Sequence, residues 1–425
     1  MNESSHNEAS KKVLVIGGGI AGLTAAYELA RLNLDVDLVE KSGFLGGHAI
    51  QFCCKADDEC QKCGACSVEK RLLEVIQEQR VKVYLRSELT GMNRNSRFSY
   101  TLSLRPLYID PKACTNCGVC VEKCPAEGAI VRGYSKNNVP LYTIDENHCL
   151  YFKDGSCKLC QDVCPEKAVT LDQGDSEASG EADAIVVASG FKAYDPVDKA
   201  RYHYNINKNV ITALELERML RQKGEVLRPS DNKVPERIAF IQCIGSREPK
   251  SQHGFCSQVC CGYAMRMAQA ISHRYPEIKA TIFYMDIQNC GKDFSNFYTK
   301  CRDNINFVRF TPSDVFQGEG DQLILRCLDE KDGHIVEEVF DMVVLSVGIM
   351  PGLSNASLAD MLKIDLDEHG FFACADPLDS TPTSQQGIFL AGTALAPKDI
   401  ADSMAHAGQA AQRVAQYLGV MPCPK

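Results

Sequence analysis

The sequence predicts an α/β protein of two Rossmann-type dinucleotide-binding domains, the first interrupted by a small cysteine-rich α+β domain. Three observations lead there. Residues 13–30 read as a buried strand, a glycine turn and an amphipathic helix. A second set of buried strands starts at residue 237, and a dense block of cysteines lies between the two. The expected organisation is a disordered leader over 1–11, a first domain in three pieces (12–105, 173–231 and 352–425), an insertion over 106–172, and a second dinucleotide-type domain over 232–351.

The leader MNESSHNEASKK has no apolar core, so it does not read as a signal peptide. Next comes 13-VLVIGGGIAGLTAAYELA-30, in which Gly17, Gly19 and Gly22 form the G-x-G-x-x-G fingerprint. Gly17 permits the tight turn, Gly19 lets the backbone approach a pyrophosphate, and Gly22 allows close helix–strand packing. Free N–H groups at the helix start would then face the phosphates. The following strand, 35-DVDLVE-40, places Glu40 to accept a hydrogen bond from a ribose hydroxyl.

Composition narrows the function classes. The chain has 425 residues with a formal charge of −9, which argues against nucleic-acid binding. No apolar run reaches the length of a membrane span, so a cytoplasmic protein is expected, with membrane association only through partners. The 22 cysteines are far more numerous than in an ordinary chain of this size. Thirteen fall between Cys53 and Cys164, and four between Cys243 and Cys261. In a reducing compartment such clustering indicates metal rather than disulfides. Cys290, Cys301, Cys327, Cys374 and Cys423 are scattered and read mostly as small buried hydrophobes.

The insertion carries the most specific signal. Its first half, 114-CTNCGVCVEKCP-125, is the C-x2-C-x2-C-x3-C-P run of bacterial ferredoxins. The second half supplies Cys157, Cys160 and Cys164 before Pro165, with Cys149 as first ligand and LYFKDGS as a loop insertion. In two-cluster ferredoxins the fourth cysteine of each run serves the other cluster. One 4Fe–4S cluster is therefore expected on Cys114, Cys117, Cys120 and Cys164, and another on Cys149, Cys157, Cys160 and Cys124. An earlier group, 53-CCKADDECQKCGACSVEK-70, repeats the tight spacing at Cys60, Cys63 and Cys66, with Cys53 or Cys54 as the fourth ligand. A further cluster is favoured there, against a structural zinc or a redox-active pair.

The second domain opens with 237-RIAFIQCIG-245 and closes with 342-MVVLSVGIMP-351. Gly245 is the only glycine between Cys243 and His253, so a phosphate-cradling fingerprint is missing. A nicotinamide site of the usual kind is not expected. The stretch 253-HGFCSQVCCGYAMR-266 reads as a helix carrying Cys256, Cys260 and Cys261.

Several segments resemble the two-dinucleotide-domain, thioredoxin-reductase-like flavoproteins, and this resemblance favours FAD over NAD. They are the pair Gly46–Gly47 in KSGFLGGHA, the returning strand and turn 182-ADAIVVASGF-191 with Gly190, and the closing motif 387-GIFLAGTALAPKDIADS-403. In the closing motif Thr393 follows Gly392 where the superfamily has an acid, and Asp399 is the nearest carboxylate to take the ribityl contact. A flavin domain with an inserted two-cluster ferredoxin resembles the A-type subunits of heterodisulfide reductase. AFIQCIGSRE, FCSQVCCGYA and 283-FYMDIQNCGKDFSNFY-298 strengthen that likeness, which covers about residues 12–420. It implies a further 4Fe–4S cluster near the flavin on Cys243, Cys256, Cys260 and Cys261. Without the terminal extensions of the longer members, the chain is expected to be of the shorter bacterial type, as in quinone-interacting or benzoyl-CoA reductase-type complexes.

The expected function is electron transfer between FAD and iron–sulfur clusters inside a larger anaerobic complex. The resemblance implies partners that are heterodisulfide-reductase B- or C-like redox subunits, a ferredoxin, or hydrogenase- or dehydrogenase-type donors, and it allows a homodimeric core. It also admits flavin-based bifurcation or confurcation beside a simple conduit. His48 and Lys292 are candidates to approach the flavin. The alternatives are a self-sufficient NAD(P)H-dependent flavin oxidoreductase and a non-catalytic cluster-bearing scaffold.

Overall fold

The structure is a computed structural model and describes residues 10–249, 253–288, 292–328 and 333–421. Most of the expected leader and the two cysteines 290 and 423 lie outside the described residues. The first parallel sheet has the order Ile388–Leu390, Ala184–Val187, Lys12–Ile16, Asp35–Val39, Val81–Tyr84. Alternate side chains of these strands enter two different cores. Val13, Val15, Val36, Leu38 and Val186 pack under the helices Ile20–Arg31, Ala65–Gln77 and Ile400–Tyr417. Leu14, Ile16, Ile185, Val187 and Leu390 pack on an antiparallel sheet of Ser87–Arg94, Phe98–Leu104 and Ser176–Ala182 and on helix Asn355–Leu362. Burial on both faces explains why the strands read as continuous apolar runs.

The second sheet repeats this plan. Its order is Val210–Thr212, Met342–Val347, Arg237–Ile244, Lys279–Phe283, Asn306–Val308, again all parallel. Helices Ala213–Lys223 and Cys260–Arg274 fill one face, with Phe294–Asn304 beside them. The antiparallel strands Val315–Gln317, Leu323–Leu328 and Ile335–Phe340 cover the other face. Here the sequence expectation needs correction. Residues 210–231, assigned to the first domain, belong to the second, because Val210–Thr212 pairs with Met342–Val347 and the helix after it buries Leu216 and Leu220 in the second core. That helix starts on a capping box between Thr212 and Glu215 and stops at Gly224 in the left-handed conformation. A short antiparallel ribbon, Phe191–Ala193 with Ile349–Pro351, joins the two domains.

The segment between these pieces has a small core of its own, formed by Tyr108, Ile109, Leu141, Ile144, Val169 and Leu171. It holds the hairpin Ile130–Arg132 and Tyr142–Ile144 and three short helices, Val119–Lys123, Leu150–Asp154 and Leu159–Asp162. The LYFKDGS stretch, expected as a loop, is mostly the second of these helices, which ends at Gly155 with positive φ. Among the described residues no helix is long and apolar enough to cross a membrane.

Candidate functional site

A cavity of about 1090 Å³ opens between the two domains, a size at the upper end for small-molecule sites. Its wall includes Gly17, Gly19, Glu40, Gly46, Gly47, His48, Gly190, Thr393 and Asp399. The two glycine runs meet backbone to backbone. Gly46 N–H donates to Gly18 O at 2.8 Å, and a Cβ on Gly47 would stand 3.0 Å from the Gly19 Cα. Side chains here would fill the space in which a pyrophosphate approaches the helix start, so the glycines fit a dinucleotide. Gly22 and Gly392 act behind this wall. A Cβ on Gly22 would overlap the Gly17 carbonyl oxygen, and one on Gly392 would press into Ala21.

Glu40 follows the second strand as expected. Its Oε2 accepts from Gly18 N–H and its Oε1 from Ser42 N–H, both at 2.7 Å. Burial raises its pKa above the ordinary carboxylate value, and the hydrogen bonds from Ser42 and Gly18 partly offset this. Asp399 lines the cavity but is committed elsewhere. Its Oδ1 caps helix Ile400–Tyr417 by accepting from Asp402 N–H at 2.8 Å. His48 stacks on Phe191 at 4.5 Å between ring centroids, and its Nε2 lies 3.1 Å from the Phe191 carbonyl. Its Nδ1 is buried with no partner among the described residues, an orphaned polar atom that fits a bound heterocycle. Burial lowers the His48 pKa. Lys292, the other flavin candidate, is exposed and does not line this cavity, because it sits in the turn before helix Phe294–Asn304.

Cys256 lines the same cavity. Cys243 stands near the end of its strand with φ 61°, within a register shift, and is buried like Cys260 and Cys261. Only Cys260 and Cys261 are in the helix, in its first turn. Cys256 precedes it, contrary to the helical reading, because Ser257 fixes the loop by accepting from Ile349 N–H at 2.8 Å and Gln258 has φ 62°. The four thiols are electrostatically coupled. Burial raises Cys243 to about 11, with Cys261 and Cys256 adding to the rise, and Cys260 is raised by burial and then by the other three. Four buried or half-buried thiols on these segments are a donor set that fits an iron–sulfur cluster, whose cationic core would hold them as thiolates.

The insertion gathers its cysteines into two sets. One small cavity is lined by Cys114, Cys117, Cys120 and Cys164, the other by Cys124, Cys149, Cys157 and Cys160. Each set thus takes its last member from the other run. Among the described residues no three His, Cys, Asp or Glu side chains converge as they would around one metal ion. Burial raises Cys160 to about 11, followed by the charges of Cys149, Cys124 and Cys157.

The Cys53–Cys66 segment is tied to the second domain. Arg274 donates to Cys54 O at 2.6 Å and Arg266 to Gln61 O at 2.9 Å. Cys53 is buried in the second core, and burial followed by the neighbouring Glu217 raises it to about 12. Cys54, Cys60 and Cys66 are exposed, and Cys63 lines the large cavity. Sequence reasoning missed the buried ion pair Lys55–Glu217, 2.5 Å apart, in the cavity wall. A lysine among cysteines and a glutamate on a later helix give no local signal for such a pair.

Residues 11–413 match the family model described as pyridine nucleotide-disulphide oxidoreductase. The chain is 36% identical over 433 residues to the A-type subunit of H(2):CoB-CoM heterodisulfide,ferredoxin reductase from Methanothermobacter marburgensis, covering 97% of this chain and 65% of that protein. It is 37% identical to the second A-type iron-sulfur subunit of CoB–CoM heterodisulfide reductase from Methanopyrus kandleri, with the same coverage of each. The chain thus spans just under two thirds of the length of these relatives. Among solved structures, the thioredoxin reductase of T. acidophilum is similar with a TM-score of 0.51 and 14% identity, over 96% of this chain and 99% of that one. That of Lactococcus lactis also gives 0.51, at 15% identity over 97% and 100% of the two chains. At such identities these structures speak for the fold.

Proposed function

The chain belongs to the pyridine nucleotide-disulphide oxidoreductase family, and from that premise we propose that it is the FAD- and iron–sulfur-containing electron-transfer component of a larger oxidoreductase complex. The similarity to A-type subunits of heterodisulfide reductase supports this reading. The single observation that carries it is the shared cavity, in which the glycine turns, Glu40 and His48 line the same wall as Cys256. A dinucleotide and a four-thiol set would then be neighbours.

When bound, FAD interconverts two-electron and one-electron transfer, and clusters accept the electrons singly. The chain's own residues set the stage for that exchange. Gly17, Gly19, Gly46 and Gly47 would let backbone approach the pyrophosphate, Glu40 would accept from ribose, and Thr393 lines the same cavity. His48 Nδ1 offers the flavin ring an unpaired nitrogen. Cys243, Cys256, Cys260 and Cys261 hold one cluster at the cavity, and the two cysteine sets of the insertion hold two more. We assign a fourth cluster to Cys60, Cys63 and Cys66 with Cys54, because Cys53 is sequestered in the second core. Partner redox subunits supply and remove the electrons.

Anaerobic purification with FAD, iron and sulfide analysis tests the proposal. The expected content is one FAD and about sixteen irons, four to each cluster. About twelve irons would remove the Cys54–Cys66 assignment. Iron without FAD would leave only a scaffold.

A further inference from the structure

Cys243, Gly245 and Arg247 have positive φ angles of 61°, 74° and 61°. Glycine adopts such angles freely, so the fold must hold the other two there. This turn brings Arg247 back onto the thiol set. Its N–H donates to Phe255 O at 2.9 Å, next to Cys256. Its guanidinium donates to both carboxylate oxygens of Asp286, with Nη2 at 3.0 Å from Oδ2, and also reaches the Cys243 thiol. The Asp286 carbonyl oxygen lies 3.8 Å from Cys261 Sγ. One arginine therefore adjoins the segments that carry Cys243, Cys256 and Cys261. A bidentate fork of this kind keeps its charge at every physiological pH.

We infer that Arg247 and Asp286 set the reduction potential of the cluster on Cys243, Cys256, Cys260 and Cys261, the arginine raising it and the aspartate restraining the rise. Reduction adds a negative charge to the cluster. A fixed cation beside Cys243 stabilises the reduced form, and the Asp286 carboxylate subtracts from that effect. Both are positioning and tuning residues and ligate nothing. The inference rests on the proposed ligand set.

The test is an EPR-monitored redox titration of the anaerobically purified full chain, with this cluster identified as the signal absent from Cys243→Ala. Arg247→Gln should lower its midpoint by about a tenfold change in the one-electron equilibrium, about 59 mV. Asp286→Asn should raise it, and Arg247→Lys should fall between Arg247→Gln and wild type. Iron content should not change in any of the three. Shifts of the same sign, or none, at constant iron would overturn the inference. If Arg247→Gln loses iron, Asp286→Asn decides alone: a raised midpoint upholds the inference and an unmoved one ends it. Failure of the underlying ligand set looks different, because Cys243→Ala would then keep all iron and remove no signal.

Discussion

In the first sheet, strand Lys12–Ile16 reaches helix Ile20–Arg31 through three glycines, whereas in the second, fifteen residues separate strand Arg237–Ile244 from helix Cys260–Arg274. Both domains stack helices on a five-stranded parallel sheet backed by a three-stranded antiparallel one. Both bend the chain through a positive φ just beyond or at the strand end, at Gly17 with 110° and at Cys243 with 61°. In the first turn the missing side chains make room for phosphate. In the second, one side chain is a thiol and the helix start presents two more. On the proposed reading the same architectural position would serve two chemistries, decided by whether the turn is emptied of side chains or filled with sulfur.

Two substitutions and a nicotinamide assay bear on this difference. The largest effect is expected from Gly17→Val. Its Cβ would collide with the Ala188 carbonyl, and the backbone strain alone costs roughly 1–3 kcal/mol. FAD should be lost from the purified chain while most iron remains, read by flavin absorbance against iron content. Next is Cys124→Ala, which should remove about four irons. The EPR signal lost should be the one also lost in Cys157→Ala, and not that of Cys117→Ala, because Cys124 lines the cavity of the second run. A third expectation concerns nicotinamides. With no glycine cradle after Arg237–Ile244, NADH and NADPH should fail to bleach the flavin in a stopped-flow experiment.

The smallest expected effect is pH-dependent. Gly392 N–H donates to His406 Nδ1 at 3.0 Å, which requires that nitrogen to be unprotonated. Burial is the main cause of the lowered His406 pKa, and Lys398 adds to it. A histidine depressed in the folded state contributes stability above its unfolded value of about 6.5, and that contribution is lost as pH falls through the folded value. His48 acts in the same sense. Melting temperature should drop on acidification below 6.5, and His406→Gln should flatten the drop.

Much of this molecule is legible locally. The strand, glycine turn and helix at 12–31 lie within one short stretch, and the spacing of the insertion's cysteines, with the two-cluster ferredoxin pattern, leads to the two sets that line its small cavities. What was not legible depends on distant partners. Strand Val210–Thr212 changes domain because its pairing partner lies at Met342–Val347. Cys256 leaves the helix because of bonds to Ser257 from residues on other segments. Lys55–Glu217 and Arg247–Asp286 join residues far apart in sequence, and neither pair has a recognisable pattern.

On the proposed reading the second dinucleotide-type domain would hold a cluster where the first would hold phosphate. Iron, sulfide and FAD determined together on wild type and Cys243→Ala test it most directly. Cys243→Ala should lose about four irons with FAD retained. Unchanged iron in Cys243→Ala would contradict it.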